Sequence, residues 1–149
     1  MITIRKANRN DIPLIVGFQQ KMAAETESLE LDLNTVTKGV ESVFLNPEKG
    51  FYLVAEFDGL VVGCTMLTPE WSDWRNGTIL WIQSVFIEPD FRKKGVFSHL
   101  YGFVKSLVLR SPEYLGLRLY VVNDNAIAQE VYRRSGMDGN HYRLFEWIK

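Results

Sequence analysis

Three cations, a glycine and a hydroxyl follow one another in Arg92-Lys93-Lys94-Gly95-Val96-Phe97-Ser98, between an apolar run and an amphipathic stretch. Where such a turn opens a helix, the first N–H groups are unpaired and the helix dipole presents its positive end. Arg92, Lys93 and Lys94 add charge, so the natural ligand is an anion, phosphate or pyrophosphate above all. Gly95 lets the backbone approach that ligand or adopt φ > 0. Taken alone, the heptapeptide fits equally an exposed basic turn with a glycine for geometry. Neither a G-x-x-x-x-G-K-[ST] loop nor a G-x-G-x-x-G fingerprint occurs in the chain.

The elements around this turn are legible. Residues 79–87 are nearly continuously apolar and rich in β-branched and aromatic types, the pattern of a strand covered on both faces. Glu88-Pro89-Asp90 ends it. From Val96 the large side chains recur at Phe97, Leu100, Tyr101, Val104, Leu107 and Val108, one stripe of a helix that Ser111-Pro112 stops. Residues 116–122 read as a further strand. A helix separates it from 79–87, so the two should be parallel with a right-handed crossover.

Other chemistry-bearing residues are scattered. The stretch 24–32 holds Glu25, Glu27, Glu30 and Asp32 with no basic partner, and as a pattern it is a solvated acidic loop. Trp71 and Trp74 in the connection 71–77 either cover a sheet edge or wall a pocket. Asn125, Ala128 and Tyr132 share one helix face at i, i+3 and i+7, behind the cap Asn123-Asp124-Asn125 and ahead of Gly136. Cys64 lies within an apolar stretch and reads as a small core residue. His99 and His141 have no identifiable partner, and no spacing of His, Cys, Asp or Glu suggests a metal, so none is expected.

The remaining chain supports one domain over residues 1–149. Residues 1–7 alternate as a strand with Ile2 and Ile4 covered. A helix capped by Asn10 or Asp11 follows, with Leu14, Phe18 and Met22 toward the sheet, and a short helix is expected over 36–44. Residues 51–56 and 60–68 form a hairpin about Asp58-Gly59, and 141–148 a last strand. Residues 1–91 hold 7 basic and 13 acidic side chains, whereas 92–149 hold 10 and 5, so one half suits a cation and the other an anion. Overall charge near zero argues against a nucleic-acid partner. With no apolar run of membrane length, no leader and a single cysteine, no membrane partner and a cytoplasmic location are expected. A homodimer is left open.

Two motifs in order carry a resemblance. Arg92-Lys93-Lys94-Gly95-Val96-Phe97 after a strand resembles the R/Q-x-x-G-x-G/A signature of the GNAT superfamily of acyl-CoA N-acetyltransferases, with Phe97 where the last small residue usually stands. Asn125 to Met137, N-x-x-A-x-x-x-Y-x-x-x-G-M, is similar to its second motif at every spacing. The resemblance implies an α/β (α+β) fold with a mixed, mostly antiparallel sheet, a splayed parallel strand pair and flanking helices. It implies acetyl-CoA as co-substrate and a primary amine, of a small molecule, as acceptor. It also implies pyrophosphate on Arg92 to Ser98, pantetheine beside Val85 and Ile87, and carbonyl-polarising N–H groups near Val85 and Phe86. Asn125 and Ala128 join the cofactor site, with Tyr132 at the leaving thiolate.

The acidic segment, with Glu30, Glu70, Asp73 and Gln83, is expected at the acceptor site. Many relatives carry a carboxylate where this chain has Gln83 or Ser84, neither of which accepts a proton at neutral pH. The base is then Glu30, Glu70 or Asp73 through water, His99 or His141, or no residue at all. Two other classes stand beside the small-molecule enzyme: a non-catalytic acyl-CoA sensor, and a protein N-terminal or lysine acetyltransferase.

Overall fold

One five-stranded sheet organises the computed structural model, which describes all 149 residues. Its strands are β1 (Ile2–Lys6), β2 (Phe51–Phe57), β3 (Leu60–Ser72), β4 (Gly77–Ile87) and β5 (Tyr114–Arg118), in that spatial order. The first three pairings are antiparallel and β4–β5 is parallel, so the sheet is mixed and mostly antiparallel, as the sequence leads one to expect. The helices are α1 (Ile12–Glu27), α2 (Leu33–Leu45), α3 (Val96–Arg110) and α4 (Ala126–Arg134). The chain divides into two units, Met1–Arg118 with the sheet and the first three helices, and Leu119–Lys149 with α4.

Turn chemistry sets the register of the antiparallel part. Asp58 and Gly59 both take positive φ, 50° and 82°, the backbone a two-residue hairpin turn needs to match strand twist. Trp71 and Ser72, expected in a connection, instead belong to β3, where they pair with Thr78 and Gly77. Only residues 73–76 turn the chain, with Asn76 at φ 48°.

The α1 face of the sheet buries Ile15 and Phe18 with Tyr52, Val54, Cys64 and Phe86, together with Val40 and Val43 of α2. The Phe18 and Phe86 rings stack at 5.3 Å. The buried residues of α1 are Ile15, Val16, Phe18 and Ala23, with Met22 partly buried against the same core. Leu14, expected among them, is 47% exposed, because one residue of offset rotates a side chain about 100° around the axis. From α3, Val96, Leu100 and Val104 are buried, each worth roughly 1.5–3 kcal/mol of transfer free energy.

The caps also differ from expectation. Asn8 accepts the Asn10 N–H while Asp11 accepts the Asn8 N–H at 2.7 Å, a reciprocal box on a short 3-10 turn, so Asp11 makes no side-chain cap of α1 itself. Asp32 accepts the Thr35 N–H at 2.8 Å and so starts α2 earlier than the expected 36–44. Two strand expectations are corrected. The strand expected at 116–122 is Tyr114–Arg118, and its ladder with β4 ends just before the bulge at Gln83 that bends β4. The apolar alternation of 141–148 forms no strand. Alternation permits a strand, but backbone pairing makes one.

Candidate functional site

The turn after β4 folds into an anion-ready backbone. Pro89–Phe91 forms one 3-10 turn, Lys93 takes φ 60° and Gly95 takes φ 85° as the residue capping α3. A Cβ on Gly95 would meet nothing closer than 3.8 Å. What requires glycine is therefore the left-handed conformation, not space. No side chain caps α3, and its first backbone bond runs from the His99 N–H to the Gly95 carbonyl at 3.1 Å. The first turn of a helix holds no intrahelical acceptor for its N–H groups, and here that turn begins at Val96. The Phe97 ring lies along the helix, stacked on Tyr101 with centroids 6.0 Å apart.

The three cations are deployed differently. Lys93 is exposed, while Lys94 sits over the rings of Phe91 and Phe57 at 5.2 and 5.9 Å. Arg92 turns toward α1. Its Nε donates to the Ile87 carbonyl at 2.8 Å, its Nη2 donates to Glu25 at 2.7 Å, and the guanidinium lies 5.6 Å from the Phe86 ring centroid. A cleft of about 230 Å³ lies here, with Met22, Glu25 and Thr26 on one wall and residues 85–87 and Arg92 on the other.

Alongside the cleft, the β4 edge is open. β5 pairs with β4 only from Thr78 to Trp81, so β4 has no β5 partner from Ile82 through Val85, Phe86 and Ile87. The bulge between Ile82 and Ser84 carries Gln83, whose amide donates to Thr68 Oγ1 at 2.8 Å. Ser84 Oγ is buried without a partner, although its carbonyl accepts from Thr65 Oγ1 at 2.7 Å.

The residues expected at the acceptor side are not gathered together. Glu30 lines a separate cavity of about 410 Å³ with Gln20, Ala24 and the turn after α1, where Ser28 is left-handed at φ 51°. Glu70 pairs with Arg118 across the sheet. It stands five residues along β3 from Thr65, the partner of Val85, or roughly 17 Å away. Asp73 is at the hairpin tip and accepts the Trp74 N–H at 2.9 Å. Sequence reasoning did not single out Glu25 as a partner of Arg92. The two are 67 residues apart, and no local pattern signals such a pair.

In the second unit, Asn125 caps α4 by accepting the Ala128 N–H at 3.0 Å. Ala128 and Tyr132 are half-buried on one face, and burial raises the Tyr132 phenol above the ordinary tyrosine value. Cys64 is fully buried and its thiol is pushed up to about 12 by desolvation, as a core residue should be. No three His, Cys, Asp or Glu side chains gather where a metal could be held, and no helix is long and apolar enough to cross a membrane.

Residues 17–137 match the family described as "Acetyltransferase (GNAT) family". Comparison with curated proteins gave no match. Among solved structures, a possible acetyltransferase from Clostridium difficile 630 is 39% identical, with TM-score 0.93 over 100% of this chain and 98% of that one. An aminoglycoside N-acetyltransferase solved with CoA is similar at TM-score 0.80 and 16% identity, over 100% and 95% of the two chains. The ribosomal-protein-alanine N-acetyltransferase of Brucella melitensis biovar Abortus 2308 has TM-score 0.78 and 12% identity, over 99% and 100%. These last two likenesses are of fold alone. With the family match over most of its length, and the left-handed Gly95 and open β4 edge where that family's first motif falls, the chain belongs to the GNAT family of acetyltransferases.

Proposed function

We propose that the protein transfers the acetyl group of acetyl-CoA to a primary amine of a small molecule by direct attack on the thioester. The observation that carries this reading is the pairing of two backbone features. A left-handed Gly95 opens α3 with no side-chain cap, and the adjacent β4 edge has no β5 partner. The first suits a pyrophosphate and the second an extended arm with amide groups.

In this reading the N–H groups of Val96, Phe97 and Ser98 hold the pyrophosphate, with charge from Arg92, Lys93 and Lys94. The β4 backbone at Val85 and Ile87 binds the pantetheine, and N–H groups near Val85 and Phe86 polarise the thioester carbonyl. Asn125 and Ala128 join the cofactor-binding residues on the strength of the family motif they match. Tyr132 donates a hydrogen bond to the departing sulfur. Against a thiol near pKa 8.5, full proton transfer from an ordinary tyrosine is uphill by about 2 kcal/mol, and its raised pKa makes it more so. Stabilising the thiolate is its role.

Of the residues expected at the acceptor side, Gln83 stands on the bulge beside the open edge, whereas Glu30, Glu70 and Asp73 lie apart from it and add only a longer-range negative field, which favours a cationic amine. Gln83 orients and cannot deprotonate. The amine loses its proton to water relayed to a carboxylate, or arrives neutral. Release of free thiol from acetyl-CoA across a panel of small amines tests the reading, and turnover with at least one is expected. Tight CoA binding with no turnover on any amine or peptide would favour the sensor reading, for which the missing carboxylate at Gln83 and Ser84 is the specific observation.

A further inference from the structure

The Arg92–Glu25 pair ties the basic turn to α1 across the cleft, with Nη2 and Oε2 2.7 Å apart. The same arginine stands three residues before Gly95, at the mouth of the anion-ready backbone. We propose that Arg92 changes partner when acyl-CoA binds: Glu25 holds it in the free protein, the pyrophosphate takes it in the complex, and the Glu25 carboxylate is left uncovered in the cleft for a cationic group of the acceptor. This rests on the acyl-CoA reading given under Proposed function.

Three observations carry it. The pair is weakly committed, with 42% and 41% of the two side chains exposed. Such pairs contribute little, and a pyrophosphate offers a guanidinium more charge and a bidentate geometry. Second, α1 does not depend on this strap, because Lys21 pairs with Glu88 at the end of β4 and remains when Arg92 leaves. Third, Glu25 shares the cleft with Val85, Phe86 and Ile87, the stretch along which the thioester is proposed to lie. A carboxylate freed there faces the reacting end of the bound thioester. The acceptor then binds after acyl-CoA, since before that its anchor is occupied by Arg92.

The test is a calorimetric titration of CoA into the parent chain, Glu25→Gln, Arg92→Gln and the double variant. Glu25→Gln removes the competitor for Arg92 and should tighten CoA roughly two- to fivefold, the range set by an exposed pair. Arg92→Gln should weaken CoA roughly tenfold or more. In the Arg92→Gln background the Glu25 substitution should change nothing, whereas a general field effect of the carboxylate would persist there. A damaged fold would not tighten binding. Unchanged or weaker CoA affinity in Glu25→Gln, or the same change in both backgrounds, overturns the exchange while leaving the acyl-CoA reading intact. A parent chain that binds no CoA overturns both.

Discussion

Trp81 and Arg118 form the last rung of the parallel ladder between β4 and β5. One residue further on, β4 is laddered to β3 alone and soon bulges at Gln83. A parallel pair is normally buried and continuous, so a sheet that opens at its apolar centre invites an extended ligand to take the place of the missing strand. The opening lies on the same connection as the left-handed Gly95 that starts α3.

Gly95→Val should weaken CoA binding about tenfold or more with the sheet intact. A β-branched residue at φ 85° costs at least 1–2 kcal/mol, relieved only by re-forming the turn and moving the N–H groups of Val96 to Ser98. The check is a CoA titration beside a thermal melt. Unchanged affinity with a normal melt would remove the α3 N-terminus from the binding site.

How much was legible varies by residue type. Asp58-Gly59, Pro89 and the α3 stripe announce themselves because turn and helix chemistry are local. The left-handed turn that opens α3 was readable for the same reason, since one heptapeptide builds it. The limits of β3 and β5 were not, because a strand ends where its partner leaves, and neither Ser72 nor Arg118 carries that information. The partners of the carboxylates were least legible: Glu70 proves to pair with Arg118, and Arg92 with Glu25, over separations of 48 and 67 residues.

Acid should destabilise the fold through Asp11. This carboxylate is buried, accepts two bonds from Arg5 at 2.8 and 3.0 Å, and is held below its ordinary value of 3.8 chiefly by that arginine. A depressed folded-state pKa contributes stability that is fully present above the unfolded value and lost as pH falls through the folded one, here below about 3.8. Arg5 is 33% exposed and keeps Glu56 as a second partner. Asp11→Asn should therefore cost roughly 1–3 kcal/mol at neutral pH, less than a fully buried pair. The gap between variant and parent should narrow progressively as pH falls below about 3.8, which denaturant titrations at several pH values would show or refute.

Cys64 should stay silent in any assay that reads released thiol. It is completely buried and its thiol is pushed up to about 12, so the thiolate fraction at neutral pH is negligible and a reagent has no access. A disulfide reagent should titrate no thiol in the native protein and one after denaturation. Rapid native labelling would mean that the β2–β3 region opens readily.

Tyr132→Phe should lower kcat while leaving CoA affinity nearly unchanged. The ring that is half-buried on α4 is retained, and only the hydroxyl is lost. That hydroxyl is needed only as charge develops on sulfur, so kcat and kcat/KM should fall together. One charge-assisted hydrogen bond is worth about 1.5–3 kcal/mol, or roughly ten- to 150-fold in rate. Burial raises the phenol, so it stays protonated across the working range, and the loss should not vary with pH between about 6 and 9. A loss that grows with pH would mean that the phenol itself gives up the proton. Equal turnover by mutant and parent, with chemistry shown to limit the rate, would leave Tyr132 as a packing residue and favour the sensor.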